Sequence, residues 1–292
     1  MKKKILSLLG LVLFFTFLFI PPVLSYTPAI LYFRDIIPVQ KSIESLTFTL
    51  PLVGVEKISF ICDSPIEQST GKIIPEQRIT FSYQQQTVFS NQPLSLNTGL
   101  NTEAMTEKEI SFLINIEFNP SDPPGEYEGK IYAVCQNSTG DSRRIPLMLK
   151  IKILPWIKLK SATPNPSLVI NRLASFTETD LQPMEPVIIM IASNSSWLLY
   201  MNVRKEANST TLFVPIEISV ANSSKHESFR EIFLPNDGYK MVAAGPPTVI
   251  GDGSGNNRYW TELALNASIP DCINYPSGNH AFNLYFSGRI AH

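Results

Sequence analysis

The chain has 292 residues, with 24 Lys and Arg against 25 Asp and Glu, and its formal net charge is −1. A balance this close to neutral excludes the basic surface that nucleic acid or an anionic membrane would select. The 23 prolines, the many β-branched residues and the lack of any long hydrophobic pattern of period 3.6 predict an all-β fold.

Residues 1–25 are predicted to be a signal peptide. Lysines at 2–4 precede the apolar run 5–20, and Val23-Leu24-Ser25 provides the small residues that a signal peptidase reads. An uncleaved N-terminal anchor is the alternative, although the run of 16 residues is shorter than the ~20 of a full membrane span. Either way the bulk of the chain is exported to the periplasm, the cell surface or the medium. Cleavage leaves 267 residues with 21 basic and 25 acidic side chains, a net charge of −4.

The mature chain has room for two domains of ~130 residues each. We predict a first domain at 26–154, a stiff proline-rich linker at 155–166, in which Trp156 packs at the domain junction, and a second domain at 167–292. Residues 28–34 are either a first strand or an extended arm. The other strands predicted in the first domain lie at 46–50, 57–62, 79–83, 112–118, 127–135 and 145–153.

The stretch Asp122-Pro123-Pro124-Gly125-Glu126-Tyr127-Glu128-Gly129 is predicted to be a tight turn between two strands. The two prolines cannot donate hydrogen bonds to a ladder, so strand pairing stops there. Gly125 supplies the backbone freedom that a reversal needs. A weaker copy, Tyr275-Pro276-Ser277-Gly278-Asn279-His280, recurs near the C-terminus and indicates one β-rich unit used twice.

Three cysteines remain in the exported chain. Cys62 shares a strand face with Ile58 and Phe60, and Cys135 shares one with Ile131, so both are predicted to point inward. An inter-sheet disulfide between Cys62 and Cys135 is the favoured interpretation in an oxidising compartment, with two buried free thiols as the alternative. Cys272 is then a free thiol or an intermolecular partner.

The second domain repeats the pattern of the first. Its predicted strands lie at 187–192, 197–203, 214–220, 259–269 and 281–286. The phrases Ser121-Asp-Pro-Pro-Gly-Glu-Tyr-Glu-Gly-Lys-Ile131 and Ala192-Ser-Asn-Ser-Ser-Trp-Leu-Leu-Tyr200 resemble tandem Ig-like β-sandwich domains of bacterial exported and surface proteins, and loosely spore-coat-U-type and secreted pilin-like domains. The resemblance implies two antiparallel Ig-like sandwiches and export. The second copy of the turn departs from the motif at Ser277 and His280.

The two predicted domains differ at their ends. The first has a closing strand at 145–153 after its turn, whereas the second ends at His292, fourteen residues past Gly278. One hypothesis is that a strand from another copy completes the second domain, because bare sheet edges pair with other chains. Ile30, Leu31, Tyr32 and Phe33 of the N-terminal arm are the candidate donors. The alternative is that Leu168–Arg172 or another internal segment closes the gap.

No catalytic residue, metal site or cofactor is predicted. The three histidines have no Cys or Asp at metal-binding spacing, and the glycine-rich segment 251–255 lacks the spacing of a nucleophile elbow. The same segment faintly resembles a calcium loop without its distal Glu. Trp260 is expected to point outward beside this loop, where Trp260 and Tyr259 are candidate contacts for a sugar or a protein partner. A Trp260 that covers the domain junction is the alternative.

These features favour an exported, non-enzymatic structural or adhesive surface protein, as a subunit of a pilus-like or coat assembly. It would bind a protein partner, or itself, through an exposed sheet edge. A secreted carbohydrate- or protein-binding module is the alternative, and a periplasmic assembly chaperone with two Ig-like domains is the weaker one.

Overall fold

The computed structural model describes residues 28–96, 108–162, 167–172, 186–205, 216–221, 227–228, 230–234, 238–249, 259–268 and 278–291. Within these ranges the chain forms twenty β-strands and a single 3₁₀ turn at Glu76–Arg78. The same ranges contain no helix that is long and apolar enough to cross a membrane. The predicted signal peptide, Cys272 and the glycine-rich segment 251–255 lie outside the described residues.

The first ten strands form two sheets that enclose one hydrophobic cluster. They are β1 (Ala29–Ile36), β2 (Ser42–Leu52), β3 (Val55–Cys62), β4 (Ile66–Glu67), β5 (Ile79–Tyr83), β6 (Gln86–Phe89), β7 (Pro93–Ser95), β8 (Lys108–Phe118), β9 (Gly125–Asn137) and β10 (Ser142–Ile153). One sheet has the order β1-β10-β9-β3-β7, with β4 also paired to β9, and the other has the order β2-β8-β5-β6. β1 pairs with β10 in parallel.

Side chains alternate between the cluster and the surface along the long strands, as a period of two requires. In β10 every second residue from Ile145 to Ile153 is buried, which confirms the predicted inward row. Phe60 of β3 lies at the centre of the cluster. Its ring stacks on Phe81 of the other sheet with 4.3 Å between centroids, and it meets Phe48 and Phe112 edge to face. The two sheets are therefore joined by interlocking aromatic rings.

The last ten strands form a second pair of sheets around a separate cluster. They are β11 (Ile157–Ser161), β12 (Ser167–Arg172), β13 (Val187–Ser193), β14 (Trp197–Lys205), β15 (Ile216–Ala221), β16 (Glu227–Ser228), β17 (Arg230–Phe233), β18 (Lys240–Gly245), β19 (Thr261–Ser268) and β20 (Gly278–Ile290). The sheet orders are β11-β13-β19-β15-β17 and β12-β20-β14-β18-β16. Two such pairs of sheets confirm the predicted all-β fold of two sandwiches.

The second sandwich is not left open for a strand from another copy. β12 pairs antiparallel with β20, from Ser167 opposite Asn283 to Arg172 opposite Gly278. It takes the place beside β20 that β10 takes beside β9 in the first sandwich. The internal segment at 168–172 thus closes the gap, and the hypothesis of a strand donated to the second sandwich is wrong.

The predicted linker also contains structure. Residues Ile157–Ser161 form β11, which pairs antiparallel with β13 from Ile157 opposite Ser193 to Ser161 opposite Ile189. The prolines of this region predict stiffness, but the alternating Ile157, Leu159 and Ser161 can still enter a sheet edge. The strands of the second sandwich therefore begin ten residues before the predicted boundary at 167.

Candidate functional site

The Pro-Pro-Gly turn is built around Tyr127, which is 1 % exposed at the start of β9. Its hydroxyl donates to the carbonyl oxygen of Pro123 at 2.8 Å, four residues upstream. This hydrogen bond resembles the tyrosine corner of Ig-type sandwiches. Gly125 is required beside it, because a Cβ there would lie 2.6 Å from Cγ of Glu67. The spacing of the motif is thus explained by packing at a chain reversal.

Asp122 connects the Pro-Pro-Gly turn to the 3₁₀ turn before β5 and to the end of β8. Its carboxylate accepts two hydrogen bonds from the Arg78 guanidinium, at 2.9 and 3.0 Å, and a third from the backbone N–H of Asn119 at 2.8 Å. The side chains of Asp122 and Arg78 are 7 % and 15 % exposed, so this is a largely buried ion pair. Its two-pronged geometry gives the turn a defined orientation.

Asn194, which is 2 % exposed, joins the turn to the second sandwich. Its amide nitrogen donates to the carbonyl oxygen of Asp122 at 3.0 Å and to that of Leu154 at 3.4 Å. Its side-chain oxygen accepts a hydrogen bond from the backbone N–H of Trp156 at 2.9 Å. The Ser193 hydroxyl donates to the backbone carbonyl oxygen of Trp156 at 2.8 Å. The two sequence phrases that carry the resemblance therefore meet at one junction.

Trp156 and Tyr259 complete this junction. The Trp156 ring is 5 % exposed and stacks on Tyr259 with 5.8 Å between centroids and 29° between planes. The Tyr259 hydroxyl donates to the carbonyl oxygen of Val39 in the first sandwich. Trp260 meets Tyr259 edge to face at 5.4 Å and is itself half-buried. Tyr259 thus uses its ring and hydroxyl within the chain, and both Tyr259 and Trp260 remain partly exposed.

The cysteines do not form the predicted disulfide. Cys62 and Cys135 are buried free thiols, which confirms their inward orientation only. They lie on neighbouring strands of the same sheet, where Cys62 pairs with Ile131 and Cys135 with Ile58, so four residues separate the two positions along the ladder (135 − 131 and 62 − 58). Four residues span ~13 Å in a strand, whereas a disulfide needs Cα atoms within ~7 Å. Burial raises the pKa of Cys62 to about 12 and also raises that of Cys135.

Glu67 is a buried acid that organises the loop after β4. Its carboxylate accepts hydrogen bonds from the backbone N–H and the hydroxyl of both Ser69 and Thr70. The hydrogen bonds from Thr70 and then Ser69 lower the pKa of Glu67 from 4.5 to about 2. Gly125 lies directly against the Glu67 side chain, so this loop also packs against the Pro-Pro-Gly turn.

Replacing Glu67 by glutamine is expected to flatten the acid limb of the stability profile. A carboxyl whose pKa is lowered on folding stabilises the fold above its unfolded pKa of 4.5, and this contribution is lost as pH falls toward 2. Urea unfolding at several pH values between 2 and 7 measures it. Glu109→Gln, at an exposed position of β8, is the control. A Glu67→Gln profile parallel to that of the wild type would contradict the assignment.

The N-terminal arm is an internal strand of the first sandwich and is not free to be donated. Leu31 and Phe33 are 4 % and 5 % exposed in the cluster, and the ladder with β10 runs from Ala29 opposite Leu147. The predicted donor role of Ile30, Leu31, Tyr32 and Phe33 is therefore wrong for the folded chain. The outer edge of β1 is also protected, because a bulge interrupts the register between Phe33 and Ile36 and Asp35 has φ +54°. Bulges and charges of this kind prevent edge pairing.

The edge of β2 has no bulge, and its charge Glu44 and its proline Pro51 lie near the two ends of the strand. Its ladder with β8 runs without interruption from Ser42 opposite Phe118 to Leu52 opposite Lys108, eleven residues in all. The segment from Ser45 to Val53 carries no charge. Among the described residues β8 is the single strand that pairs with β2, whereas β11 covers the corresponding strand β13 in the second sandwich. The first sandwich thus presents a long, flat edge where its counterpart has a further strand.

The outer face of the β2 sheet carries Glu109 and Glu117 near the two ends of β8, and between them it is uncharged and internally hydrogen-bonded. Ser45 donates to the Asn115 side-chain oxygen at 2.7 Å, and Asn115 donates to Ser82 at 3.0 Å. Ser82 and Thr87 share a hydrogen bond of 2.9 Å, so the chain of contacts crosses all four strands. Polar groups that already have partners cost little to bury. This face can therefore be covered by a protein surface without losing its hydrogen bonds.

No group of three or more His, Cys, Asp or Glu side chains in the described part of the chain could hold a metal ion.

The residues that matter structurally were only partly visible in the sequence. Asn194 stood out solely as part of a turn, and Asp122 as part of the Pro-Pro-Gly motif. The uncharged alternation of Ser45, Thr47 and Thr49 with apolar residues was the available signal for the β2 edge.

No protein-family model matches the chain, and no curated protein matches it. Several solved structures are distantly similar to this chain. A chaperone–tip adhesion subunit pre-assembly complex from archaic chaperone-usher Csu pili of Acinetobacter baumannii is 14% identical over 90% of this chain and 99% of that chain, with a TM-score of 0.42.

Two further likenesses are more remote. Carbohydrate-binding modules from the β-sandwich superfamily are 10% identical over 83% of this chain and 96% of that chain, with a TM-score of 0.15. The secreted serine protease VesC from Vibrio cholerae is 10% identical over 87% of this chain and 49% of that chain, with a TM-score of 0.19. All three TM-scores are low, so the likenesses assign no function to this chain.

Proposed function

We propose that this chain is an exported, non-catalytic surface protein with a structural or adhesive role in an assembly. It acts by binding a protein partner, which adds a strand to the free edge of β2. We place the boundary between the two sandwiches at 154–156, because β10 ends at Ile153 and β11 of the second sandwich begins at Ile157. The observation that carries the proposal is the regular eleven-residue edge strand β2, which carries no charge from Ser45 to Leu52.

Strand addition fits this edge physically. An extended partner gains main-chain hydrogen bonds along the whole strand, and side chains on alternate positions provide specificity. The backbone N–H and C=O groups of β2 that point toward its free edge belong to the residues whose side chains lie on the outer face of the sheet. Two observations support this assignment: Arg143 donates to the carbonyl oxygen of Pro51 at 3.5 Å, and Ser45 and Thr49 contact Asn115 and Ser111 through their side chains. Side chains approach in this way at the pairs that do not exchange backbone hydrogen bonds.

The junction supplies the rigidity that an assembly subunit needs. Asn194 hydrogen-bonds to the chain on both sides of the boundary, and Tyr259 reaches Val39 across it. An edge in the first sandwich is therefore held in a defined orientation relative to the second. A partner bound at β2 would consequently be oriented by the whole molecule.

Site-directed photocrosslinking in the exporting cells tests this proposal. A photoreactive residue replaces Thr47, at the middle of the β2 edge, or Lys130, which is exposed on the central strand β9. We expect protein adducts at position 47 that are absent at position 130, and we expect the chain in the extracytoplasmic fraction. A chain retained in the cytoplasm, no protein adduct at position 47, or equal adducts at both positions would overturn it.

A further inference from the structure

We infer that the partner at the β2 edge is a second copy of this chain, whose own β2 pairs antiparallel with the first about Thr47. This inference rests on the proposed strand addition at that edge. The product would be a twofold-symmetric dimer in which the two four-stranded sheets become one continuous sheet. In this register each residue faces the one whose number is 94 minus its own, so Ser45 faces Thr49 and Ile43 faces Pro51 of the second copy.

The distribution of exposed apolar side chains fits this register. Ile43 at one end of β2 is 65% exposed, and Val53 just beyond the other end is 43% exposed. Antiparallel self-pairing brings Ile43 of one copy next to Pro51 and Val53 of the other, at both ends of the interface. Side chains opposite and diagonal to one another across such a pair are in contact range. A parallel arrangement in register would instead place the Glu44 carboxylates of the two copies side by side.

The charges at the ends of the strand are complementary in the same register. Arg143 is exposed and reaches the carbonyl oxygen of Pro51 at one end of β2, and Glu44 is exposed at the other end. Antiparallel pairing places Glu44 of each copy opposite Leu50 of the other, next to Pro51 and its Arg143. The interface thus gains two contacts of opposite charge. Between them, the segment from Ser45 to Leu50 contains no charge that would face its own copy.

A proline already present in β2 shows how the edge can be tested without disturbing the fold. Pro51 has no N–H, and strand prolines are tolerated where the N–H would face the open edge. Thr47 is four residues away, so its N–H faces the same edge. Thr47→Pro, present in both copies, therefore removes the two hydrogen bonds exchanged at the symmetry axis and leaves the ladder with β8 intact. Thr47→Val keeps the N–H and is the matched control.

The experiment is sedimentation velocity over a concentration series of the full chain as an exporting host processes it. We expect dimers for the wild type and for Thr47→Val, and a dissociation constant raised at least ~tenfold for Thr47→Pro. Glu44→Arg and Arg143→Glu should each weaken the dimer, and the double variant should restore it to within about threefold of the wild type. Far-UV circular dichroism checks that each variant is folded.

Three outcomes would overturn the inference: a monomer at all concentrations, a dimer that persists in folded Thr47→Pro, or single charge changes that the double variant does not rescue. Should Thr47→Pro fail to fold, the charge reversals decide alone. Failure here is distinguishable from failure of the proposed function. A purified monomer whose position 47 still crosslinks to another protein in cells retains strand addition and excludes the second copy. The absence of any adduct at position 47 removes both.

Discussion

Replacing Phe60 by alanine is expected to lower the free energy of unfolding of the first sandwich by about 3–5 kcal/mol. Phe60 is fully buried, and its ring contacts Phe81, Phe48 and Phe112, which all lie in the opposite sheet. Alanine would remove all of these contacts and leave a cavity that the flanking strands cannot collapse into, because each is held in a ladder. Few other single side chains join the two sheets so extensively.

The measurement exploits the positions of the tryptophans. The three tryptophans of the chain lie at 156, 197 and 260, so their fluorescence reports on the junction and the second sandwich. Far-UV circular dichroism follows both sandwiches. We expect Phe60→Ala to shift the circular dichroism transition to lower urea concentrations. The fluorescence transition of Trp197 should keep the midpoint that it has in the wild type. Phe89→Ala, at a side chain 52% exposed on the same sandwich, should cost less than ~0.5 kcal/mol. Equal costs for the two variants would contradict the central role of Phe60.

The fold could be predicted well from local pattern because its causes are local. Alternation at 145–153 places a row of side chains on one face whatever the partner strands are, and the structure buries that row in full. The Pro-Pro-Gly turn is likewise encoded within eight residues, since Tyr127 hydrogen-bonds to Pro123 four residues away. Such features follow from backbone geometry and need no knowledge of distant contacts.

The errors arose where distant segments compete for one position. Alternation shows that Cys62 and Cys135 point inward, but it cannot show which sheet a strand joins, and both strands lie in the same one. The place beside β20 is filled by β12, whose residue Ser167 pairs with Asn283 more than a hundred positions away. A count of strands reveals that a place is open and does not reveal which segment takes it.

The candidate site was predictable only in part for the same reason. Trp156 was expected at the junction, because an isolated aromatic in a proline-rich segment needs a surface to cover. Its partner Asn194 makes its hydrogen bonds to Asp122, Leu154 and Trp156, none of which is near it in sequence. Asn194 in a turn is unremarkable until the second contact surface is known. A buried polar network that joins distant segments therefore cannot be predicted from local sequence pattern and is recognised only in the structure.

Replacing Asp122 by alanine is expected to cost about 3–5 kcal/mol, because it leaves the Arg78 guanidinium buried without its counter-ion. Arg78 loses both of its hydrogen bonds to the carboxylate, and the N–H of Asn119 loses its acceptor. Asp35→Asn is the control for loss of a carboxylate, because asparagine tolerates the left-handed backbone at this position (φ +54°). Asp35 is 64% exposed and lies 3.8 Å from Lys152, so its removal should cost less than ~1 kcal/mol.

Asp122→Ala should also reach the second sandwich, because the carbonyl oxygen of Asp122 accepts a hydrogen bond from Asn194. When the turn loses its anchor, that carbonyl moves and the packing around Trp156 loosens. We expect a red-shifted tryptophan emission in native Asp122→Ala. Asn194→Ala, in contrast, should shift the emission while the Arg78 ion pair keeps the first sandwich near its full stability. If Asp122→Ala cost no more than Asp35→Asn, the ion pair would not stabilise the turn. If its emission were unchanged, the turn would not be coupled to the junction.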